Sequence, residues 1–242
     1  MNAIIIENLT KKYKDVTAVD NLSLTINVGE LFSLLGVNGA GKTTTIKMLS
    51  CLTKPTEGNA YLLGKSITTE DSEIKAFIGV SPQETAIAQG LTVKENLDLI
   101  CGIYGYTKEQ KNAKINELLT LLSLNSVENK KASKLSGGYQ RRLSIAIALV
   151  SEPKILFLDE PTLGLDVIAR SELWDIIKSL KTKSIIILTT HYMDEAEELS
   201  DRVAIMKDGK LLECDTVSKI KEKANATTLE GAFIKIIKGD IK

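Results

Sequence analysis

The short apolar run Leu31–Leu35 passes directly into Gly36-Val37-Asn38-Gly39-Ala40-Gly41-Lys42-Thr43-Thr44. Gly36–Thr43 has the spacing G-x-x-x-x-G-K-[ST], with a buried-strand pattern before it and a helical stretch to about Ser50 after it. No other feature limits the fold so tightly. Glycines let the backbone wrap closely around an anion, and successive amides then point inward as donors. The following helix turns its positive end toward the same anion. A lysine placed like Lys42 reaches the outer phosphates of a nucleoside triphosphate, and a hydroxyl placed like that of Thr43 binds Mg2+. The candidate phosphate contacts are Gly36, Asn38, Gly39, Ala40, Gly41, Lys42, Thr43 and Thr44.

Other segments fill in an α/β plan. Ile4–Leu9 is β-branched but alternates poorly, whereas Leu22, Leu24 and Ile26 alternate cleanly, so the first strands read as a separate antiparallel sheet. From about Val93 to Val150 the period is helical, with Ile115, Leu118, Leu119 and Leu122 on one face. A strand over Ile155–Leu158, a helix over Val167–Leu180, a strand over Ser184–Thr189 and a helix over Met193–Leu199 follow. Val203–Cys214 reads as a hairpin turned at Asp208-Gly209. A last helix from Leu229 carries Phe233, Ile236 and Ile237 on one face. Alternating strands and helices predict a mostly parallel sheet covered on both faces. The expected organisation is one domain over 1–242. In it, 1–83 and 151–242 are core, 84–150 is a helical insertion, and about 216–242 is a helical tail.

Composition narrows the function classes. Lys plus Arg and Asp plus Glu are each 31, so no basic excess asks for a nucleic-acid partner. Cys51, Cys101 and Cys214 lack C-x-x-C spacing and read as incidental thiols in a reducing compartment. The apolar runs are a handful of residues against the roughly 20 of a membrane helix. The Lys-rich stretch Lys108–Lys114 reads as a solvated helix face.

Two further segments carry chemistry. The apolar strand Ile155–Leu158 ends in Asp159 and Glu160. Beside a phosphate loop, Asp159 suits the Mg2+ hydration shell and Glu160 suits orientation and deprotonation of an attacking water. Leu135-Ser136-Gly137-Gly138-Tyr139-Gln140 starts a helix that Ser136 can cap, and its N-terminus is a second anion site.

Together with Gly164-Leu165-Asp166 and His191, these motifs resemble those of an ABC ATPase in order and spacing over nearly the whole chain. The resemblance implies a phosphate-loop NTPase core, an antiparallel N-terminal β-subdomain and a helical insertion carrying the signature Leu135–Gln140. It also implies two chains sandwiching two ATP molecules, a homodimer being the simplest case. Ser136, Gly137, Gly138 and Gln140 would then act in trans, and Asp166 would lie in the interface loop. His191 would face the γ-phosphate, leaving open whether it or Glu160 is the principal base beside Lys42. Gln83 would join Thr43 and Asp159 as an Mg2+ ligand, and Tyr13 would stack on adenine. The implied partners are ATP, a second ATPase subunit and a separate membrane permease, at the cytoplasmic face of the membrane.

Leu91–Leu97, Tyr104-Gly105-Tyr106 and Thr228–Phe233 resemble the exporter branch. The helical insertion between Gln83 and Leu135 is the expected docking surface for the permease, with the stretch Thr85-Ala86-Ile87-Ala88 through Leu91 as its apolar patch. The alternative is a soluble ABC-type ATPase acting on ribosome or DNA, which usually carries two cassettes or long coiled coils. A GTPase is disfavoured because Asn129-Lys130-Lys131-Ala132 has alanine where a base-reading aspartate belongs. The cargo is not legible.

Overall fold

The computed structural model describes residues 2–239. The chain forms two compact units, one built from residues up to Lys75 together with those from Ile185 onward, the other from Ala76–Ser184.

The first unit opens with an antiparallel sheet in the order β2-β1-β4-β5. Its strands are β1 (Asn2–Tyr13), β2 (Val16–Asn27), β4 (Glu57–Leu62) and β5 (Lys65–Ser66). The poor alternation of Ile4–Leu9 has a cause. Asn8 is left-handed at φ 50° and the register slips between Ile6 and Leu9, so Leu9 turns back to the buried face. In the second sheet β3 (Leu31–Gly36) lies between β8 (Ile185–Thr190) and β9 (Arg202–Lys207), parallel to both. β10 (Lys210–Asp215) pairs antiparallel with β9, giving the predicted Asp208-Gly209 hairpin. Every residue of β3 and β8 is buried, which explains their unbroken apolar runs.

Helices α1 (Lys42–Leu49), α2 (Asp71–Lys75), α7 (Met193–Leu199), α8 (Val217–Lys223) and α9 (Leu229–Lys238) complete this unit. Leu229 and Phe233 of α9 enter a core with Leu35, Val203, Ile205 and Ile220, and Ile236 and Ile237 pack against it. Burying a side chain such as Phe233 contributes about 1.5–3 kcal/mol, enough to dock the tail. The last three residues of the expected tail, 240–242, lie outside the described residues.

The second unit pairs β6 (Ile78–Ser81) parallel to β7 (Ile155–Asp159). It adds α3 (Val93–Ile103), α4 (Lys108–Leu121), α5 (Gly137–Leu149) and α6 (Val167–Leu180). Ile115, Leu118, Leu119 and Leu122 are all buried, as their spacing predicts. Capping boxes Thr92/Glu95 and Thr107/Gln110 start α3 and α4. The compact unit is thus wider than the 84–150 stretch, taking in two strands and α6. Lys114 departs from expectation. It is buried, because its ammonium pairs with Glu117 at 2.8 Å and Glu152 at 2.5 Å. Among the described residues no helix is long and apolar enough to cross a membrane.

Candidate functional site

In the first unit the phosphate loop leaves the C-terminal end of β3, flanked by two parallel strands. Leu35 is in register with Thr190 of β8, and Gly36 with Met206 of β9. A Cβ on Gly36 would lie 2.5 Å from the Met206 carbonyl oxygen. Gly41 has φ +100°, and a Cβ there would lie 2.5 Å from the Ala18 carbonyl oxygen of β2. Both positions need glycine for close backbone approach. The hairpin turn buttresses the loop from behind. The Gly209 amide donates to the Ala40 carbonyl at 3.2 Å, and the Gly209 carbonyl accepts from the Asp20 amide at 2.9 Å. Lys42 is buried, and its Nζ donates to the Gly36 carbonyl at 2.7 Å and the Val37 carbonyl at 3.3 Å. The ammonium is thereby held across the loop, whose outer rim, Val37, Asn38 and Gly39, is exposed. Thr43 and Thr44 sit half-buried in the first turn of α1.

His191 follows Thr190, so it steps off the strand next to Gly36 at the same end. Its ring lies 4.1 Å from that of Tyr192. Tyr13 is exposed at the end of β1, opposite Val16, in the hairpin whose Ala18 supports Gly41. The Lys11 ammonium lies 5.0 Å from its ring centroid. Sequence-predicted residues Tyr13, Gly36–Thr44 and His191 therefore all belong to this unit.

The second unit holds the rest. Ser81 and Leu158 are partners across β6 and β7, so Gln83 and the Asp159-Glu160 pair emerge at the same end of adjacent strands. Both carboxylates are buried, at 4% and 5% exposure. Glu160 is left-handed at φ 48°, a conformation costing a non-glycine residue roughly 1–2 kcal/mol. Strain of this kind concentrates at working sites. The turn continues through Gly164, at φ 76°. Within it the Thr162 hydroxyl is buried without a hydrogen-bond partner among the described residues.

Ser136 occupies the N-cap of α5 in extended conformation, but its side chain makes no capping bond, contrary to expectation. The preceding loop is held instead by Gln140, whose Nε2 donates to the carbonyls of Ala132 at 3.2 Å and Leu135 at 3.3 Å. Ser136 and Gly137 stay exposed at the start of the helix. A Cβ on Gly138 would lie 3.3 Å from Ala169 Cβ of α6, and one on Gly137 3.8 Å from Leu165 Cδ2. The signature and the segment around Asp166 thus come together. Asp166 itself is exposed and caps α6, its Oδ1 accepting from the Ala169 amide at 2.9 Å.

Sequence reasoning missed three residues. Gly209 was read only as a hairpin turn. Arg141, buried in α5, donates from Nη1 to the Pro82 carbonyl and from Nη2 to the Gln83 carbonyl, each at 2.7 Å. Asn96, buried in α3, donates to the carbonyls of Ala88 at 3.1 Å and Thr92 at 2.9 Å and accepts from the Ala88 amide at 2.8 Å. No local pattern marks these residues; a polar residue at a helical position otherwise read as core is the one clue. Asn96 also shapes part of the expected docking surface. It folds the stretch from Ala88 onto α3, leaving Ala86 exposed and Ile87, Ala88 and Leu91 half-buried. Within the insertion, large exposed apolar groups lie on and just after α3, at Leu99, Ile103 and Tyr104.

The donor types suit Mg2+: a threonine hydroxyl, one buried strand-end carboxylate and a glutamine amide oxygen, all hard oxygens. Among the described residues no group of three or more His, Cys, Asp or Glu could hold a metal.

The sequence model of the family described as ABC transporter matches residues 19–163. The chain is 40% identical over 227 residues to the phospholipid-transporting ATPase ABCA3 of Homo sapiens, covering 92% of this chain but 13% of that protein. It is 37% identical to the daunorubicin/doxorubicin resistance ATP-binding protein DrrA of Streptomyces peucetius, covering 94% of this chain and 69% of DrrA. Among solved structures it resembles the dimeric post-hydrolysis state of the ATP-binding cassette MJ0796 bound to ADP and Pi. There the TM-score is 0.80 at 30% identity, over 88% of this chain and 98% of the other.

Proposed function

The chain belongs to the ABC transporter family and is an ATPase of that family, and from this premise we propose that it powers export through a separate membrane permease, working as one of two paired ATPase subunits at the cytoplasmic face of the membrane. The observation that carries the pairing is the start of α5, where the Ser136 side chain makes no capping bond and Ser136 and Gly137 are exposed. A helix N-terminus in this state suits a phosphate brought by a second chain. The neighbouring surface supports the same reading. Leu163, Val167 and Ile168, around the exposed Asp166, are large apolar groups 36%, 72% and 73% exposed. Exposed apolar patches commonly mark protein interfaces. The comparison cassette MJ0796 is itself dimeric.

In this reading the glycine loop and Lys42 bind the phosphates, and Tyr13 stacks on the base. Thr43, Asp159 and Gln83 would hold Mg2+, which when bound neutralises charge on the phosphate chain. Glu160 accepts a proton from the attacking water, and His191 helps fix that water against the γ-phosphate. Ser136 and Gly138 contribute amide dipoles to the partner's nucleotide, the kind of electrostatic stabilisation phosphoryl transfer relies on. Export is supported by relatives whose names describe drug resistance and phospholipid transport.

The permease docks on the loop at Ala86 and the exposed α3 face at Leu99 and Ile103. Single cysteines at Ala86 and Leu99, in a background without native cysteines, are expected to crosslink to a membrane protein in native membranes, with a yield that changes on adding ATP. Crosslinks confined to ribosomal or DNA-bound material would replace this reading with that of a soluble ABC-type ATPase.

A further inference from the structure

We infer that Arg141 is a positioning residue that locks the Gln83 loop to the signature helix, so that the two move as one piece. The inference rests on the proposed role of Gln83 as an Mg2+ ligand only for its effect on activity; the lock itself stands on geometry. Arg141 lies in α5, five residues after Ser136 and only 5% exposed. Its planar guanidinium spans two consecutive backbone carbonyls, those of Pro82 and Gln83, at 2.7 Å each. A lysine ammonium cannot reproduce that fork. Nearby, the Ser81 and Ser144 hydroxyls share a buried hydrogen bond of 2.9 Å, a second tie between the end of β6 and α5.

The far end of the loop belongs to a different helix, through the amide of Asn96 in α3. Between these anchors Glu84 and Ala86 are exposed, and the Ile87 amide donates to the Thr85 carbonyl at 3.0 Å. The loop is therefore a short strap with its root on α5 and its far end on α3. A partner pressing on its crown moves α5 through Arg141, and Gln83 goes with it. Bonds from a charged donor are the strong kind, and both of these are part-buried, so removing the donor loses two ties at once.

The test compares Arg141→Met, which keeps the apolar stem and volume, with Arg141→Lys and Gln83→Ala. Backbone hydrogen exchange, the Mg2+ concentration for half-maximal ATP hydrolysis, and ATP affinity in excess EDTA are measured well below each variant's Tm. Arg141→Met is expected to speed exchange at amides 83–87 by about tenfold or more. It should also raise the Mg2+ requirement severalfold, with the metal-free ATP affinity unmoved. Arg141→Lys should fall between wild type and Met, and it keeps the test open if Met fails to fold. Unchanged exchange at 83–87 in both Arg141 variants overturns the lock. A raised Mg2+ requirement in Gln83→Ala alone overturns the claim that Arg141 positions Gln83. Faster exchange with a normal Mg2+ requirement in every variant upholds the lock and removes Gln83 from the metal.

Discussion

The phosphate loop and the Gln83 loop both leave the C-terminal end of a buried parallel strand, yet they are held in opposite ways. The first is shaped mostly by its own residues, with glycines at φ +83° and +100°, a Val37 carbonyl accepting from Ala40, and Lys42 folded across it, and is backed by main chain at Ala18 and Gly209. The second has no glycine before Gly90 and borrows its shape from side chains elsewhere, with Arg141 reaching carbonyls 58 and 59 positions away. A loop that must cradle a constant ligand is pre-formed by its own backbone. On the proposed reading, a loop that responds to a permease is tethered instead by side chains of other elements.

The sharpest way to break the contrast is to separate binding from chemistry. Glu160→Gln keeps the shape of the second unit but removes the proposed base. Turnover is expected to fall by about 10²–10⁴. ATP affinity should stay near wild type, and the ATP-bound protein should elute as a dimer in size-exclusion chromatography. Near-normal hydrolysis would take Glu160 out of its role.

A smaller effect tests whether packing or chain flexibility shapes the phosphate loop. Gly41→Ala meets a carbonyl at 2.5 Å as well as an unfavourable φ, whereas a Cβ on Gly39 meets nothing within 4 Å. Gly39→Ala should cost roughly 1–2 kcal/mol from φ alone, about tenfold in ATP affinity. Gly41→Ala should weaken binding well beyond that in titration calorimetry. Equal losses would mean that the contact with β2 does not shape the loop.

The smallest effect probes the side-chain tethering of the second unit. Glu117 accepts from Lys114 and Lys183, which holds its carboxyl below the ordinary value of 4.5. A lowered folded value adds stability at neutral pH and loses it as pH falls below the ordinary value and through the folded one. Glu117 is 42% exposed, so Glu117→Gln should cost less than about 1 kcal/mol at pH 7. In chemical denaturation the gap from wild type should close in the acid range. A gap that persists there would point to lost packing.

Much of this protein was determined by sequence alone. The phosphate loop, the helices Val167–Leu180 and Met193–Leu199 and the Asp208-Gly209 hairpin lie where their residues put them, because glycine conformations, capping and hydrophobic period act over a few residues. Tertiary structure decided the rest. It made Asp208-Gly209 a buttress for Ala40, left Ser136 without a capping bond, drew Lys114 out of solvent between two carboxylates, and gave Asn96 and Arg141 the two ends of one loop. A backbone turn is chosen by its own φ and ψ. The partner of a long polar side chain is chosen by whichever distant carbonyl or carboxylate folding brings within about 3 Å, and no local pattern records that choice.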